Sequence, residues 1–329
     1  MTFRFLAAGA AVSFSLLPLA ALSQSTDSPT RVAMLDPVVV TPTLASRTAD
    51  ASLSSVTVVD EKTLREQQPT DMADLLRGQP GVDTTGNGSF GKNASVFIRG
   101  TSSDATLLLV DGVRLRSATA GSPAWQYLPS QMMQRVEIVR GPRGSLYGAD
   151  AVGGVVQIFT RDEGTWLNMG GGSFDSWNLG AGSSIRHGGT TATVGANYFD
   201  TDGTELRENS DDRGYDNASG LLKLSHQFGD KGSVGVFGFR TEGNTEYEGS
   251  TPEDQREIDY MLQVAGVKGD LWLSDSLQVK ALISEAKDES EDFDDGLSNG
   301  IFDTRTRTAN LQTVLVAGDH QFIVGGEYQ

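Results

Sequence analysis

From residue 164 to the end of the chain, apolar and polar residues alternate with a period of two. In one segment Trp177, Leu179 and Ala181 alternate with Asn178 and Gly180. Alternation of this kind indicates β-strands with one apolar and one polar face, and it predicts roughly nine strands. A transmembrane barrel requires such strands, with lipid outside and a polar lumen inside. A soluble β-sandwich has the same alternation with the faces reversed, so the pattern alone leaves both folds open.

The connections between these strands favour the barrel. Beyond the first hairpin, tight turns alternate with long acidic connections. The tight turns lie at 187–189, 229–232, 274–276 and 317–319, and the long connections at 200–217, 242–259 and 288–300. Outer-membrane barrels alternate in this way, with short turns on the periplasmic side and longer loops outside.

Residues 43–162 have a mixed pattern that predicts a small α+β domain. Strands are predicted at 55–59, 95–99 and 106–110, a helix at 63–77, and loops at 83–93 and 117–123. The stretch 136–160 has two β-branched runs around a glycine-rich middle. So many glycines leave room only for tight turns and one short helical turn.

Four motifs in this domain resemble the plug signature of TonB-dependent outer-membrane receptors. They lie at 74–82, 96–100, 107–115 and 136–160. Among the branches of that family, the chain most resembles the vitamin B12 (cobalamin) transporters. The resemblance implies an α+β plug domain followed by an antiparallel transmembrane β-barrel.

The same resemblance marks a set of structural plug residues. They are Arg99, Gly100, Asp111, Gly112, Arg140, Gly141, Pro142, Tyr147, Gly148, Gly153 and Gly154. Arg99 and Arg140 are the plug cations expected to pair with barrel carboxylates, some of them on strands beyond residue 329.

The N-terminal region predicts export and an energy-coupling site. Residues 1–23 have Arg4, an apolar run and small residues before a cleavage point, which predicts a secretory signal peptide. The linker 24–42 contains a β-prone segment that can add a strand to a partner's sheet. The resemblance identifies this segment as the TonB box, gripped by the periplasmic protein TonB. Its residues are Asp36, Pro37, Val38, Val39, Val40, Thr41 and Pro42. Pro37 departs from the family pattern and removes one backbone donor.

The predicted regions are therefore a signal peptide at 1–23, a linker with the TonB box at 24–42, the plug at 43–162 and barrel strands at 163–329. A barrel wide enough for a plug needs about 22 strands, and open strand edges are costly in lipid. The chain is thus expected to be the N-terminal part of a longer receptor.

The charge balance argues against nucleic acid as a partner. Lys and Arg number 26 and Asp and Glu 43, so the formal net charge is −17, which phosphates would repel. The three long connections carry −5, −6 and −6, so the excess charge is expected on one side of the membrane. The chain has no cysteine, which excludes disulfides and cysteine catalysis.

The resemblance also implies ligand and calcium positions. By similarity to the cobalamin branch, ligand would contact Asn93, Ser95, Ser102, Ala120 and Gly121. Calcium takes hard oxygen ligands, which are offered by Glu205, Asn209, Asp211, Asp212, Tyr247, Glu248 and Asp254. Arg213 stands where another acid is expected. A solvated acidic surface remains the alternative to a calcium site.

Enzyme chemistry is not indicated. His187, His226 and His320 lie apart without metal-ligand spacing, and the chain has no phosphate loop or nucleophile elbow. The sequence therefore predicts a non-enzymatic importer of a scarce nutrient, a corrinoid such as vitamin B12, without a resident cofactor. It would sit in the outer membrane of a Gram-negative bacterium, with TonB, lipid and a small-molecule ligand as partners. An iron-siderophore receptor and a secreted β-rich binding protein or adhesin are the alternatives.

Overall fold

The computed structural model describes residues 38–39, 47–48 and 54–329, with gaps at 119, 209, 252–253 and 319. The predicted signal peptide and most of the predicted TonB box lie outside the described residues, as does Asn209. Within the box, strand β1 (Val38–Val39) pairs antiparallel with β2 (Arg47–Thr48).

Residues 54–160 form the predicted α+β unit, which is called the plug below. Its elements are β3 (Ser55–Val59), α1 (Glu61–Gln67), α2 (Met72–Leu76), β4 (Val82–Gly86), β5 (Ala94–Ile98), β6 (Thr106–Val110), β7 (Val113–Arg114), β8 (Met133–Arg140), α3 (Gly144–Tyr147) and β9 (Gly154–Thr160). Five strands form one sheet in the order β3-β8-β9-β6-β7. In this sheet β6 and β9 run parallel, and the other neighbours run antiparallel. Strands β4 and β5 form a separate hairpin.

The predicted single helix at 63–77 is wrong, because the structure has two helices there. The first ends at Gln68, which adopts a left-handed φ of 46°, and Pro69 follows. Proline disfavours helical backbone in the residue before it, so the helix stops at this point. Asp71 then caps α2 by accepting a hydrogen bond from the Asp74 backbone N–H at 2.8 Å.

The Asp71 carboxylate gives a pH-dependent prediction. Burial raises the pKa of Asp71 to about 6, against the opposing hydrogen bond from Asp74. Because this value lies above the unfolded one of about 3.9, the buried charge destabilises the fold above pH ~6 and not below pH ~4. Asparagine caps a helix as well as aspartate does. We therefore expect Asp71→Asn to raise the unfolding free energy by on the order of 1 kcal/mol at pH 7.5 and by much less at pH 4.

Thermal unfolding of the detergent-solubilised protein at the two pH values measures this effect. Asp60→Asn is the matched control, because Asp60 caps α1 and the hydrogen bonds from Thr63 hold the pKa of its carboxyl below the ordinary range. That variant should lose stability at pH 7.5. Equal shifts for Asp71→Asn at both pH values would contradict the prediction.

Nine antiparallel strands follow the plug in the described part of the chain, in agreement with the predicted number. They are β10 (Thr165–Gly171), β11 (Trp177–His187), β12 (Thr190–Thr204), β13 (Arg213–Gln227), β14 (Gly232–Glu248), β15 (Gln255–Ser274), β16 (Leu277–Asp294), β17 (Leu297–Ala317) and β18 (His320–Tyr328). Each strand pairs with the next one along the chain. This sheet is called the wall below.

The wall turns its polar face toward the plug. Asn197 and Asn217 are 4% and 1% exposed, whereas Val194 and Leu222 on the other face are 59% and 62% exposed. A soluble sandwich would bury the apolar face instead. The buried polar face therefore favours the barrel over the sandwich, a choice that the alternation alone left open. Among the described residues, no helix is long and apolar enough to cross a membrane.

The two ends of the wall differ in their connections. The turn end has connections at 188–189, 228–231, 275–276 and 318–319, and the loop end has connections at 172–176, 205–212, 249–254 and 295–296. The predicted long connections at 242–259 and 288–300 are therefore mostly strand, which corrects the sequence analysis. Strands β15 and β17 have 20 and 21 residues, and a tilted transmembrane strand needs about 9–11. The acidic residues thus lie largely on strand extensions rather than on loops.

Plug and wall share one hydrophobic core. The plug contributes Met72, Leu76, Ile98 and Trp125, each fully buried. The wall adds buried residues that pack into the same cluster, which are Tyr215, Leu221, Phe237, Phe239, Tyr260, Leu262, Val264 and Ala286. The polar contacts between plug and wall are therefore set in an apolar surrounding.

Candidate functional site

The glycine-rich unit at 136–160 folds as a compact turn structure. A Cβ at Gly154 would lie 2.4 Å from the Val139 carbonyl oxygen, and one at Gly153 would lie 2.2 Å from Thr101 Oγ1. A side chain at Gly154 would therefore require a backbone shift, and one at Gly153 would require the Thr101 side chain to move. The single helical turn expected in this unit is α3. These two glycines are therefore required by packing.

The two plug cations expected to meet barrel carboxylates are neighbours in the structure. Arg140 is buried and donates to Thr57 Oγ1 at 2.5 Å and to Ser55 Oγ at 3.3 Å. Burial lowers its pKa, and the adjacent Arg99 charge lowers it further. Neither arginine forms an ion pair with a described residue, so their pairing with barrel carboxylates stays a prediction. Arg140 pairs in register with Gly154, where β9 begins.

A different plug arginine contacts a wall carboxylate. Arg114 in β7 forms an ion pair with Glu327 of β18 at 3.0 Å. It also lies 3.9 Å from the plug residue Asp150. No local pattern distinguishes Arg114 from the other plug arginines, because Glu327 is more than 200 residues away in the chain.

A buried ion pair joins the C-terminal end of β9 to the wall. The Lys223 ammonium of β13 donates to Asp111 Oδ1 at 3.1 Å and to the Thr160 carbonyl at 2.7 Å. The same carboxylate accepts from the Thr160 backbone N–H at 3.1 Å and from its hydroxyl at 2.5 Å. Asp111 and Lys223 are each 9% exposed. This cluster fixes the last residue of β9, which leads directly into the wall.

The segment 125–127 of the plug binds the middle of the wall. Asn217 and Thr241 both donate to the Tyr127 carbonyl, at 3.2 and 3.1 Å. The Tyr127 ring stacks on the Tyr260 ring with centroids 3.6 Å apart and an interplanar angle of 3°. The Tyr215 hydroxyl donates to the Gln126 carbonyl at 3.4 Å. This segment is thus held by both hydrogen bonds and ring stacking.

The predicted loop at 83–93 begins with four strand residues of β4, and its remainder is the connection between β4 and β5. Residues 82–86 form β4, and the tip at 87–93 reaches the loop end of the wall, where Ser89 Oγ lies 3.0 Å from Thr204 Oγ1. Lys92 is buried at this contact. Residues 87–92 of this tip are called the apical loop below.

The candidate ligand residues are distributed over two ends of β5. Asn93 is exposed beside the apical loop, and Ser95 is the second residue of β5. Ala120 is also exposed, and the backbone N–H groups of Ala120 and Gly121 both donate to Ser117. Ser102 lies four residues beyond Ile98, the last residue of β5, which is about 16 Å of strand away from Asn93. Asn93 and Ser95 therefore form one group, and Ser102 does not belong to it.

The candidate calcium ligands do not converge on one point. Glu248 accepts from Arg213 at 3.3 Å, Tyr247 donates to Asp292 at 2.5 Å, and Asp254 accepts from Thr251. Among the described residues, no three acidic or histidine side chains lie close enough to hold a metal ion. Arg213, which departs from the expected pattern, is buried and forms the ion pair with Glu248. Calcium binding therefore stays a prediction from the resemblance.

Sequence reasoning missed the residues that join the plug to the wall, among them Lys92, Asn217 and Lys223. One signal was present: Lys223 lies between Leu222 and Leu224 on the polar face of a strand. A long cation on a face that is turned toward a plug is expected to meet an acceptor there. The partner itself could not be read from the pattern.

Comparisons with known proteins agree with this architecture. Residues 48–155 match the family model described as the TonB-dependent Receptor Plug Domain. Over 276 residues the chain is 32% identical to the vitamin B12 transporter BtuB of Vibrio vulnificus strain YJ016, which covers 81% of this chain and 44% of that protein.

Two solved structures have a similar fold. The ferric preacinetobactin receptor BauA of Acinetobacter baumannii matches with a TM-score of 0.73 and 17% identity, over 88% of this chain and 48% of that one. The ferric yersiniabactin uptake receptor FyuA of Yersinia pestis matches with a TM-score of 0.67 and 22% identity, over 85% and 48%. The chain thus spans less than half of each of these three relatives.

Proposed function

Because the chain belongs to the family of TonB-dependent outer-membrane receptors, we propose that the receptor imports a corrinoid such as vitamin B12 into the periplasm. The family consists of receptors and transporters rather than enzymes. The 32% identity to a vitamin B12 transporter supports the corrinoid. The likeness to siderophore receptors lies below 25% identity and concerns the fold.

The charge at the loop end of the wall also supports a corrinoid. The segments 200–217, 242–259 and 288–300 carry net charges of −5, −6 and −6, and their connections all lie at that end. A field of this sign repels an anionic ferric chelate and lowers its rate of entry. Cyanocobalamin has no net charge and carries amide groups, so it enters without that penalty.

The plug contacts indicate how energy from TonB would act. The hydrogen bonds and ion pairs described above between plug and wall all come from residues 89–160. Residues 55–81 contribute an ion pair of Glu61 with Arg161, which follows the plug, at 2.9 Å. A pull on the TonB box at 36–42 reaches residues 55–81 first, because they follow next in the chain. The residues that the pulling force reaches first are thus the ones without these bonds to the wall.

Equilibrium dialysis of the complete, detergent-solubilised receptor against labelled cyanocobalamin tests the proposal. We expect saturable binding that an excess of an anionic ferric catecholate does not displace. Replacement of the exposed Ala120 by tryptophan should weaken that binding, because the bulky indole ring would occupy space at the loop 117–123 that the ligand needs. Ser276→Trp is the matched control, because Ser276 is exposed in a connection at the turn end of the wall. Saturable binding of the ferric chelate and none of cyanocobalamin would establish the siderophore alternative instead.

A further inference from the structure

Lys92 in the apical loop has a buried ammonium group that is held by oxygens of two wall strands. The residue is 5% exposed. Its Nζ lies 3.1 Å from the carbonyl oxygens of Phe90, Arg213 and Gly214, and 3.4 Å from Thr245 Oγ1. A lysine ammonium has three N–H donors, so this set of oxygens can satisfy all of them. Three of these four oxygens belong to the wall.

No described carboxylate forms an ion pair with Lys92. Two charges act on its pKa: Glu246 on β14 favours the ammonium, and Arg213 on β13 opposes it. The group is therefore held mainly by carbonyl dipoles. Such a site depends on geometry, because each dipole must keep its direction toward the ammonium.

The neighbouring residues of the apical loop also fit the wall closely. The Thr245 hydroxyl donates to the Gly91 carbonyl at 3.3 Å. A Cβ at Gly91 would lie 2.0 Å from the Tyr215 ring, so only glycine allows this approach. Phe90 packs against Phe199 with ring centroids 5.4 Å apart. Residues 89–92 thus contact the wall one after another, and Lys92 is the charged member of the series.

We propose that Lys92 is a positioning residue for the ligand surface, whose side-chain amino group fastens the apical loop to β13 and β14. The next residue in the chain is Asn93, and Ser95 follows within β5. Both are therefore held against the loop end of the wall, and the apical loop moves with the wall rather than with residues 55–81. The role of Asn93 and Ser95 toward ligand rests on the proposed function, whereas the fastening itself does not.

The fastening has a characteristic pH dependence. Burial lowers the pKa of Lys92 to about 8 in the docked loop, and an undocked lysine has a pKa of about 10.4. Between these values the undocked loop binds more protons, so docking becomes stronger as the pH rises, by up to about tenfold per pH unit. Below pH ~8 the ammonium is charged in both states, and docking does not change with pH.

Since residues 1–329 have no cysteine, a cysteine placed among them is the one labelling site in this part of the receptor. We would attach a spin label to Asn93→Cys in the full-length product and record its mobility between pH 7 and 10. The label should become less mobile above pH ~8. In Lys92→Met it should be more mobile at every pH and lose the pH dependence. Lys62→Met is the control, because Lys62 is an exposed residue of α1, and it should behave like the parent protein.

A milder variant keeps the proposal testable if Lys92→Met misfolds. Thr245→Val keeps the shape of the side chain and removes one acceptor for Lys92 together with the bond to Gly91. It should mobilise the label to a smaller degree. A label in Lys92→Met with the mobility and pH profile of the parent protein would overturn the proposal.

Ligand affinity separates this proposal from the proposed function. If the apical loop of unlabelled Lys92→Met is docked in about one tenth of the molecules, the apparent Kd for cyanocobalamin rises about tenfold. Unchanged affinity with a mobilised label would refute the positioning role. If the parent protein binds no cyanocobalamin at all, the proposed function fails, and the label still decides whether Lys92 fastens the loop.

Discussion

Deletion of residues 36–42 from the complete receptor is expected to abolish cyanocobalamin uptake while leaving its binding unchanged. The reason is that ligand would bind at the loop end of the wall, whereas TonB would bind the N-terminal segment by adding it as a strand to its own sheet. Radiolabelled uptake in whole cells and binding to isolated outer membranes measure the two quantities. Loss of binding in the deletion variant would contradict this separation of sites.

A point substitution tests the strand-addition step itself. Val39→Pro removes a backbone N–H donor and keeps the chain length, so it should reduce uptake strongly without affecting binding. Val39→Thr is the matched control, because threonine is also β-branched and keeps the N–H. Val39 pairs with Arg47 in the isolated chain, and a TonB strand on that edge would have to replace this pairing. Equal uptake by the two variants would show that main-chain pairing at Val39 is not required.

Lys223→Met is expected to have the largest effect on the docking of the plug. It leaves the Asp111 carboxylate buried without its cation, since Asp111 is 9% exposed and Lys223 is the residue that forms an ion pair with it. Removing one partner of a buried ion pair costs about 3–5 kcal/mol. Thermal unfolding of the solubilised receptor should show a clearly lower midpoint. Lys231→Met, in an exposed turn at the same end of the wall, should change it little.

The double variant distinguishes the lost charge pair from lost packing. With Lys223→Met and Asp111→Asn together, the unpaired charge is gone, and the carbonyl of the introduced side-chain amide can still accept a hydrogen bond from Thr160. The double variant should therefore be more stable than Lys223→Met alone. A double variant that is less stable than the single one would mean that the ion pair is not what holds this end of the plug sheet.

The elements of the fold could largely be predicted from local patterns. The strands at 55–59 and 106–110 and the number of strands in the wall follow from alternation and turn residues, and the structure confirms them. The predicted helix at 63–77 was wrong because helical composition continues through a proline that ends the first helix. The predicted loops at 242–259 and 288–300 were wrong because acidic residues are as compatible with strands that project into water as with loops.

The candidate site was less predictable than the fold. Asn93 and Ser95 lie together beside the apical loop, but Ser102 lies at the other end of β5. Acidic residues predicted as calcium ligands have other partners. Glu248, for example, forms an ion pair with Arg213. Residue type shows which chemistry a side chain can perform. Its partners depend on which strands become neighbours, and no local pattern contains that information.

The sequence by itself determined the two-part architecture, the alternation of the wall, the glycines of the plug signature and the strongly acidic character, because these properties depend on neighbouring residues or on composition. Only the tertiary structure decided which face of the wall meets the plug and which residues join the two parts. Lys92 meets the Arg213 carbonyl across 121 positions, and Lys223 meets Asp111 across 112. Contacts of such separation form only after the strands have paired in register, so the register rather than the local pattern selects the partners.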